Sequence, residues 1–189
     1  MTQENILVLG IGNLLWADDG FGVRAVEELH RQWRFPERVR LMDGGTHGFG
    51  LLSHVQEARR VIVFDAIDYG LPPGTIKVLE NGQVPHFLRA GKMSLHQTGF
   101  QEVLAMAELT GTHPVELVLI GIQPASVEDY GGKLDPQVRA GIPAAVAIGL
   151  SWLQRWGCKP EPRTGGMEPL MPEILGMSRF EAEAPAGTC

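Results

Sequence analysis

Short apolar runs alternate along the chain with stretches of helical period, and that alternation sets the expected fold. Residues 5–11 form a nearly continuous apolar run ending in Gly10-x-Gly12-Asn13, the pattern of a strand buried on both faces that runs into a tight turn. Val23, Val26, Leu29 and Trp33 then recur at helical spacing, so a first helix is expected over about 19–33. Asp18 and Asp19 stand where an N-cap and a first-turn carboxylate belong. Residues 38–42 read as a second strand that stops at Asp43-Gly44-Gly45-Thr46. Residues 60–66 read as a third, leading into Ile67-Asp68-Tyr69-Gly70, with a short helix between the two.

Further along, 75–80 gives a fourth strand and 81–93 reads as loop. Ser94-Leu95-His96-Gln97 opens a helix whose apolar side carries Phe100, Val103, Leu104 and Ala107, with Ser94 as its N-cap. Residues 115–122 are the most apolar strand. Asp135-Pro136 is an N-cap and N1 pair for a last helix burying Val138, Ile142, Val146, Leu150 and Leu153, with a kink expected at Pro143. Apolar strands alternating with helices predict an α/β fold, a single domain with an open, twisted, mostly parallel sheet and helices on both faces. The domain is expected to occupy 1–157. From Cys158 on, Pro160, Pro162, Pro169, Pro172 and Pro185 break every helical pattern, so 158–189 reads as a Pro/Gly-rich mobile tail.

Composition narrows the class. The 189 residues are 44% hydrophobic and 20% charged, enough to build one core, and the net charge of −6 provides no broad cationic surface for nucleic acid. No apolar run reaches the roughly 18 to 20 residues of a membrane helix, and the N-terminus lacks the sections of a signal peptide. The expectation is therefore a cytoplasmic protein that engages neither membrane nor nucleic acid and acts as a monomer. Cys158 and Cys189 are too far apart for a Cys-x-x-Cys motif and have no histidine nearby in sequence, so they read as surface or weakly ordered thiols.

The glycine turn does not predict a nucleotide site. A dinucleotide fingerprint needs a third glycine where Leu15 stands, and Asp18 and Asp19 would repel a pyrophosphate; a Gly-x-x-x-x-Gly-Lys loop is also missing. What the topology does bring together is carboxylates. In an open α/β sheet the ligand crevice lies beyond the carboxyl ends of the strands, where the strand order reverses. Asp18 and Asp19 follow strand one, Asp43 ends strand two, and Asp65 and Asp68 end strand three. Any one of them could cap a turn or helix, and for Asp18 and Asp43 that reading stands beside the functional one. Several together repel unless a cation, a proton or a basic side chain offsets them. His96 is the candidate nitrogen ligand and His47 a reserve. Two oxygens and an imidazole suit zinc, nickel or another divalent first-row ion. No Gly-x-Ser-x-Gly elbow, His-Glu-x-x-His or cysteine with a nearby base competes.

Leu7 to Arg24, Asp43 to Thr46, Val63 to Gly70, Pro73 to Thr75 and Ser94 to Gln97, in this order and spacing, resemble the nickel-iron hydrogenase maturation endopeptidases. The likeness extends to about residue 157. It implies a twisted α/β fold and removal of a short C-terminal peptide from the hydrogenase large-subunit precursor once nickel is loaded. It carries the metal-contacting positions onto Asp19, Asp65 and His96, with aspartate at 19 where some members have glutamate. It also implies that the nickel arrives with the substrate, so that the ligands read a loaded precursor, and that no nucleotide takes part. The catalytic group is unassigned, with Asp19, Asp65, His96 and Asp43 as candidates; Asp43 to Thr46 could position the peptide or a water. Two alternatives are an autonomous zinc-dependent hydrolase and a non-catalytic nickel checkpoint that binds the precursor without cutting it.

Overall fold

The computed structural model describes residues 4–85, 95–131, 133–164 and 170, and at 95 and 96 the backbone alone. Five described strands form one sheet: β1 (Ile6–Ile11), β3 (Val39–Gly45), β4 (Arg60–Ala66), β5 (Ile76–Glu80) and β6 (Glu116–Ile122). Their spatial order is β3-β1-β4-β6-β5. All neighbours are parallel except β5, which runs antiparallel to β6 at the edge. Because β1 passes first to β3 on one side and the chain then crosses to β4 on the other, the order reverses between β1 and β4. That is where a crevice opens in this class of fold.

Helices cover both faces, which is why the strands are apolar throughout rather than alternating. On one face Ile6 and Val8 of β1 and Ile62 and Phe64 of β4 pack against α1 (Phe21–Gln32) and α4 (Pro136–Arg155). On the other, Leu7, Leu9, Val61 and Val63 meet α2 (Leu52–Glu57) and α3 (Leu95–Leu109). Asp135 caps α4 by accepting the Gln137 N–H at 2.8 Å, Pro136 takes the first turn, and the helix runs on through Pro143. The expected fold class and strand positions hold.

Two glycines set how closely α1 approaches the sheet. A Cβ on Gly10 would lie 2.3 Å from the Gly22 carbonyl oxygen, and one on Gly22 would lie 2.2 Å from the carbonyl oxygen of Phe64 and 2.3 Å from that of Ile11. The start of α1 therefore rests backbone to backbone on β1 and β4. The helix also begins later than the periodicity predicts: residues Ala17–Gly20 form a 3-10 turn, with Ala17 at φ +36°, before α1 opens at Phe21.

At the other end of α1, Trp33 leaves the helix for β2 (Trp33–Arg34), which pairs antiparallel with β7 (Glu161–Pro162). Arg163 fixes that junction: its backbone N–H donates to the Gln32 carbonyl at 2.8 Å, and its guanidinium to those of His30 (3.0 Å) and Trp33 (3.2 Å). Residues 158–164 thus pack back on the domain. Cys158, expected to be a surface thiol, is buried, and burial raises its pKa against the pull of Arg38 and Arg60. Cys189 and the rest of the proposed tail, at 165–169 and 171–189, lie outside the described residues.

Asp18 holds the crevice loops. It is buried and accepts three backbone N–H groups, Ala125 (2.8 Å), Ser126 (3.0 Å) and Asp135 (2.7 Å), while its own N–H donates to the Ser126 carbonyl. One carboxylate thereby ties the turn after β1 to the loop after β6 and to the start of α4. Two outcomes follow for stability in urea titration. Gly22→Ala is expected to destabilise the fold by about 3 kcal/mol, the upper end for an overpacked core, since the obstructing atoms are backbone and cannot swing away. Asp18→Ala should lose on the order of 3 kcal/mol or more by leaving three donors without their charged acceptor.

Candidate active site

Asp19 reaches the crevice through local backbone geometry. Gly12 takes φ +131°, and a Cβ there would lie 1.8 Å from the Asp19 carbonyl oxygen, so the acid's backbone lies directly over the end of β1. Only glycine permits that contact. The Asn13 N–H donates to Asp19 Oδ2 at 2.9 Å and fixes the side chain, which is buried. The turn bearing Asp19 also packs against β4, the strand that carries Asp65.

Asp65, next to last in β4 and 2% exposed, shares the face of Val61 and Val63 and so turns towards α3. There Gln97, itself buried, donates from Nε2 to Asp65 Oδ2 and to the Ala66 carbonyl, both at 3.0 Å. This amide ties the first turn of α3 to the end of β4. Farther along, α3 sits on the 3-10 turn Gly48–Leu51, where a Cβ on Gly99 would come within 2.9 Å of the Gly48 Cα. His96 precedes Gln97 in that tethered turn; its side chain lies outside the described residues, as does Ser94. Tyr69 completes this side of the crevice. Its hydroxyl occupies the space a side chain at Gly121 would need, and burial, then the charge of Asp65, raise its pKa well above the usual phenol range.

The remaining acids separate into other roles. Asp43 lies two residues before the end of β3, at the same rim but on the opposite face of the sheet, with Val39 and Leu41, towards α1. Its neighbours there include the buried Arg24, whose Nη1 donates to Glu27 Oε2 at 2.9 Å. Burial raises the Asp43 pKa; the Gly45 backbone, His47 and Arg24 oppose the rise, and Glu27 adds to it. Asp68 closes its own turn by accepting the Gly70 N–H (3.0 Å) and Gln123 Nε2 (3.1 Å). His47 Nδ1 is bonded to the Gly44 carbonyl at 2.9 Å. Among the described residues no three His, Cys, Asp or Glu side chains are grouped to hold a metal, and no helix is long and apolar enough to cross a membrane. The described part of the crevice thus supplies two buried carboxylates, Asp19 and Asp65.

Sequence reasoning passed over Gln97 and Gln123 as supports of the rim. Gln123 is buried at the end of β6, accepts the Tyr69 and Leu71 N–H groups at 2.7 and 3.2 Å, and donates to Asp68. The available signal was an amide directly after an apolar strand, where an uncharged side chain can serve as both donor and acceptor. Asp18, weighed as a helix cap, is instead the long-range tie described above.

Comparison with known proteins agrees with this geometry. A model of the hydrogenase maturation protease family matches residues 23–152. The chain is 58% identical over 185 residues to the hydrogenase expression/formation protein HupM of Azotobacter chroococcum, covering 98% of this chain and 88% of that one. It is 40% identical over 159 residues to the hydrogenase 2 maturation protease of Escherichia coli, covering 84% and 96%. The fold superposes on the hydrogenase maturating endopeptidase HybD from E. coli with a TM-score of 0.80 at 38% identity, over 84% of this chain and 98% of that one. The chain belongs to the hydrogenase maturation proteases.

Proposed function

We propose that this protease removes the C-terminal extension of a nickel-loaded hydrogenase large-subunit precursor, and that Asp19, Asp65 and His96 read the nickel that the substrate brings. The observation that supports the reading is the Gln97 clamp, which ties the first turn of α3, the turn that includes residue 96, to Asp65. Two carboxylates and an imidazole form a donor set that suits a first-row divalent ion such as nickel. Specificity would arise from charge. Without a cation, buried carboxylates at one crevice are mutually unfavourable, and a precursor lacking nickel offers nothing to offset them. A loaded precursor completes the coordination shell and is held with its cut bond against the rim.

The nickel could also polarise the scissile carbonyl or supply a bound water. Asp43, near Arg24 at the same rim, is a candidate for positioning the peptide or a water. The resemblance to the E. coli hydrogenase 2 maturation protease supports a large-subunit precursor as substrate.

Incubation of the protease with nickel-loaded and nickel-free precursor, followed by mass measurement, tests this reading. Only the loaded precursor should lose its extension; equal cleavage of both would sink nickel recognition, and cleavage of neither would point to a binding checkpoint. His96→Ala should lower the cleavage rate by on the order of 100-fold or more, as misplacement at a reacting centre does. Its thermal unfolding midpoint should stay close to that of the parent protein, and a lost fold would make residue 96 structural.

A further inference from the structure

Four of the eight large hydrophobic side chains exposed among the described residues, Leu15, Trp16, Val127 and Tyr130, belong to the two loops that Asp18 ties together. Trp16 is 37% exposed and Tyr130 67%, yet their rings meet edge to face with centroids 5.3 Å apart and planes at 72°. A backbone bridge joins the same two residues, and the Gly131 N–H donates to the Leu15 carbonyl at 2.7 Å. Apolar side chains clustered in a patch and held out in water mark a surface that binds something. Rings already ordered by the backbone beneath them lose little freedom on binding, which is what makes rigid aromatics effective anchors.

The patch adjoins the crevice. The carbonyl of Trp16 accepts the Asp19 N–H at 2.9 Å, so the aromatic shelf and the crevice acid lie on one turn. A protease must bind the polypeptide on each side of the bond it cuts, and a surface this near Asp19 is within reach of that segment. We infer that the Trp16–Tyr130 shelf is a substrate-docking surface, on which the stretch of precursor polypeptide adjoining the cut bond lies with its apolar side chains over the rings. This rests on the reading that Asp19 marks the cleavage site; it assigns specificity to contacts with the polypeptide, in addition to any contact with nickel.

Cleavage kinetics with the full-length protein, together with direct binding of nickel-loaded and nickel-free precursor, test the shelf. Trp16→Ala and Tyr130→Ala should each raise KM about tenfold with kcat nearly unchanged, as loss of an aromatic anchor does. Trp16→Phe should recover most of the loss. Both alanine variants should weaken binding of loaded and nickel-free precursor by the same factor, whereas Asp19→Asn should weaken only the loaded one. An unchanged KM in both alanine variants would overturn the proposal. So would a fall in kcat alone that Trp16→Phe does not rescue, since that would make Trp16 a prop for Asp19. If Trp16→Ala fails to fold, the more exposed Tyr130 still decides the matter. If nickel-free precursor proves to be cleaved equally well, nickel recognition fails while the shelf is still read from KM.

Discussion

At Gly10 and Gly22 the first helix rests on the sheet with no side chain between them, so that the backbone of α1 touches β1 and β4 directly. The turn between β1 and α1 takes its position from that contact. The contact draws this turn down over the end of β1, where Gly12 admits the Asp19 backbone, and places it beside β4 and Asp65. A glycine turn that looks suited to a phosphate is used instead to bring a carboxylate close to its neighbour strand. The same economy of space recurs on the other face, where Gly48 and Gly99 seat α3.

Charge then accounts for the polar supports. Buried carboxylates are unfavourable unless they are paired or hydrogen-bonded, and each acid here meets that requirement differently. Asp18 is satisfied by three backbone N–H groups and becomes the tie between crevice loops. Asp68 is satisfied by its turn and Gln123. Asp19 and Asp65 each accept a hydrogen bond at one oxygen from a neutral donor, Asn13 and Gln97. A neutral donor orients a carboxylate without cancelling its charge.

Much of this was legible from residue patterns because its causes are local. Strands buried on both faces are apolar without interruption, so β1, β4 and β6 could be located within a residue or so, and the reversal of strand order followed from the α/β class. Asp19 and Asp65 stood at the expected strand ends. The misses have long-range causes. Trp33 fits the helical period, yet Arg163, 130 residues later, draws it into β2. Asp18 looks like a local cap because its true partners lie 107 to 117 residues away. Cys158 seemed exposed because prolines follow it, whereas burial is decided by what the chain packs against. Asp43 stands at the same rim as the other acids, and strand alternation turns it to the α1 face, near Arg24.

On the proposed reading, the first turn of α3 completes, with Asp19 and Asp65, a coordination shell for nickel that belongs to the substrate. X-ray absorption at the nickel edge, recorded on loaded precursor alone and in complex with the protease, tests it most directly. Complex formation should add oxygen and nitrogen scatterers to the nickel shell, including the multiple-scattering signature of one imidazole that His96→Ala removes. A nickel spectrum unchanged by the protease, under conditions where the complex is shown to form, would mean that the protease supplies no ligand to the metal.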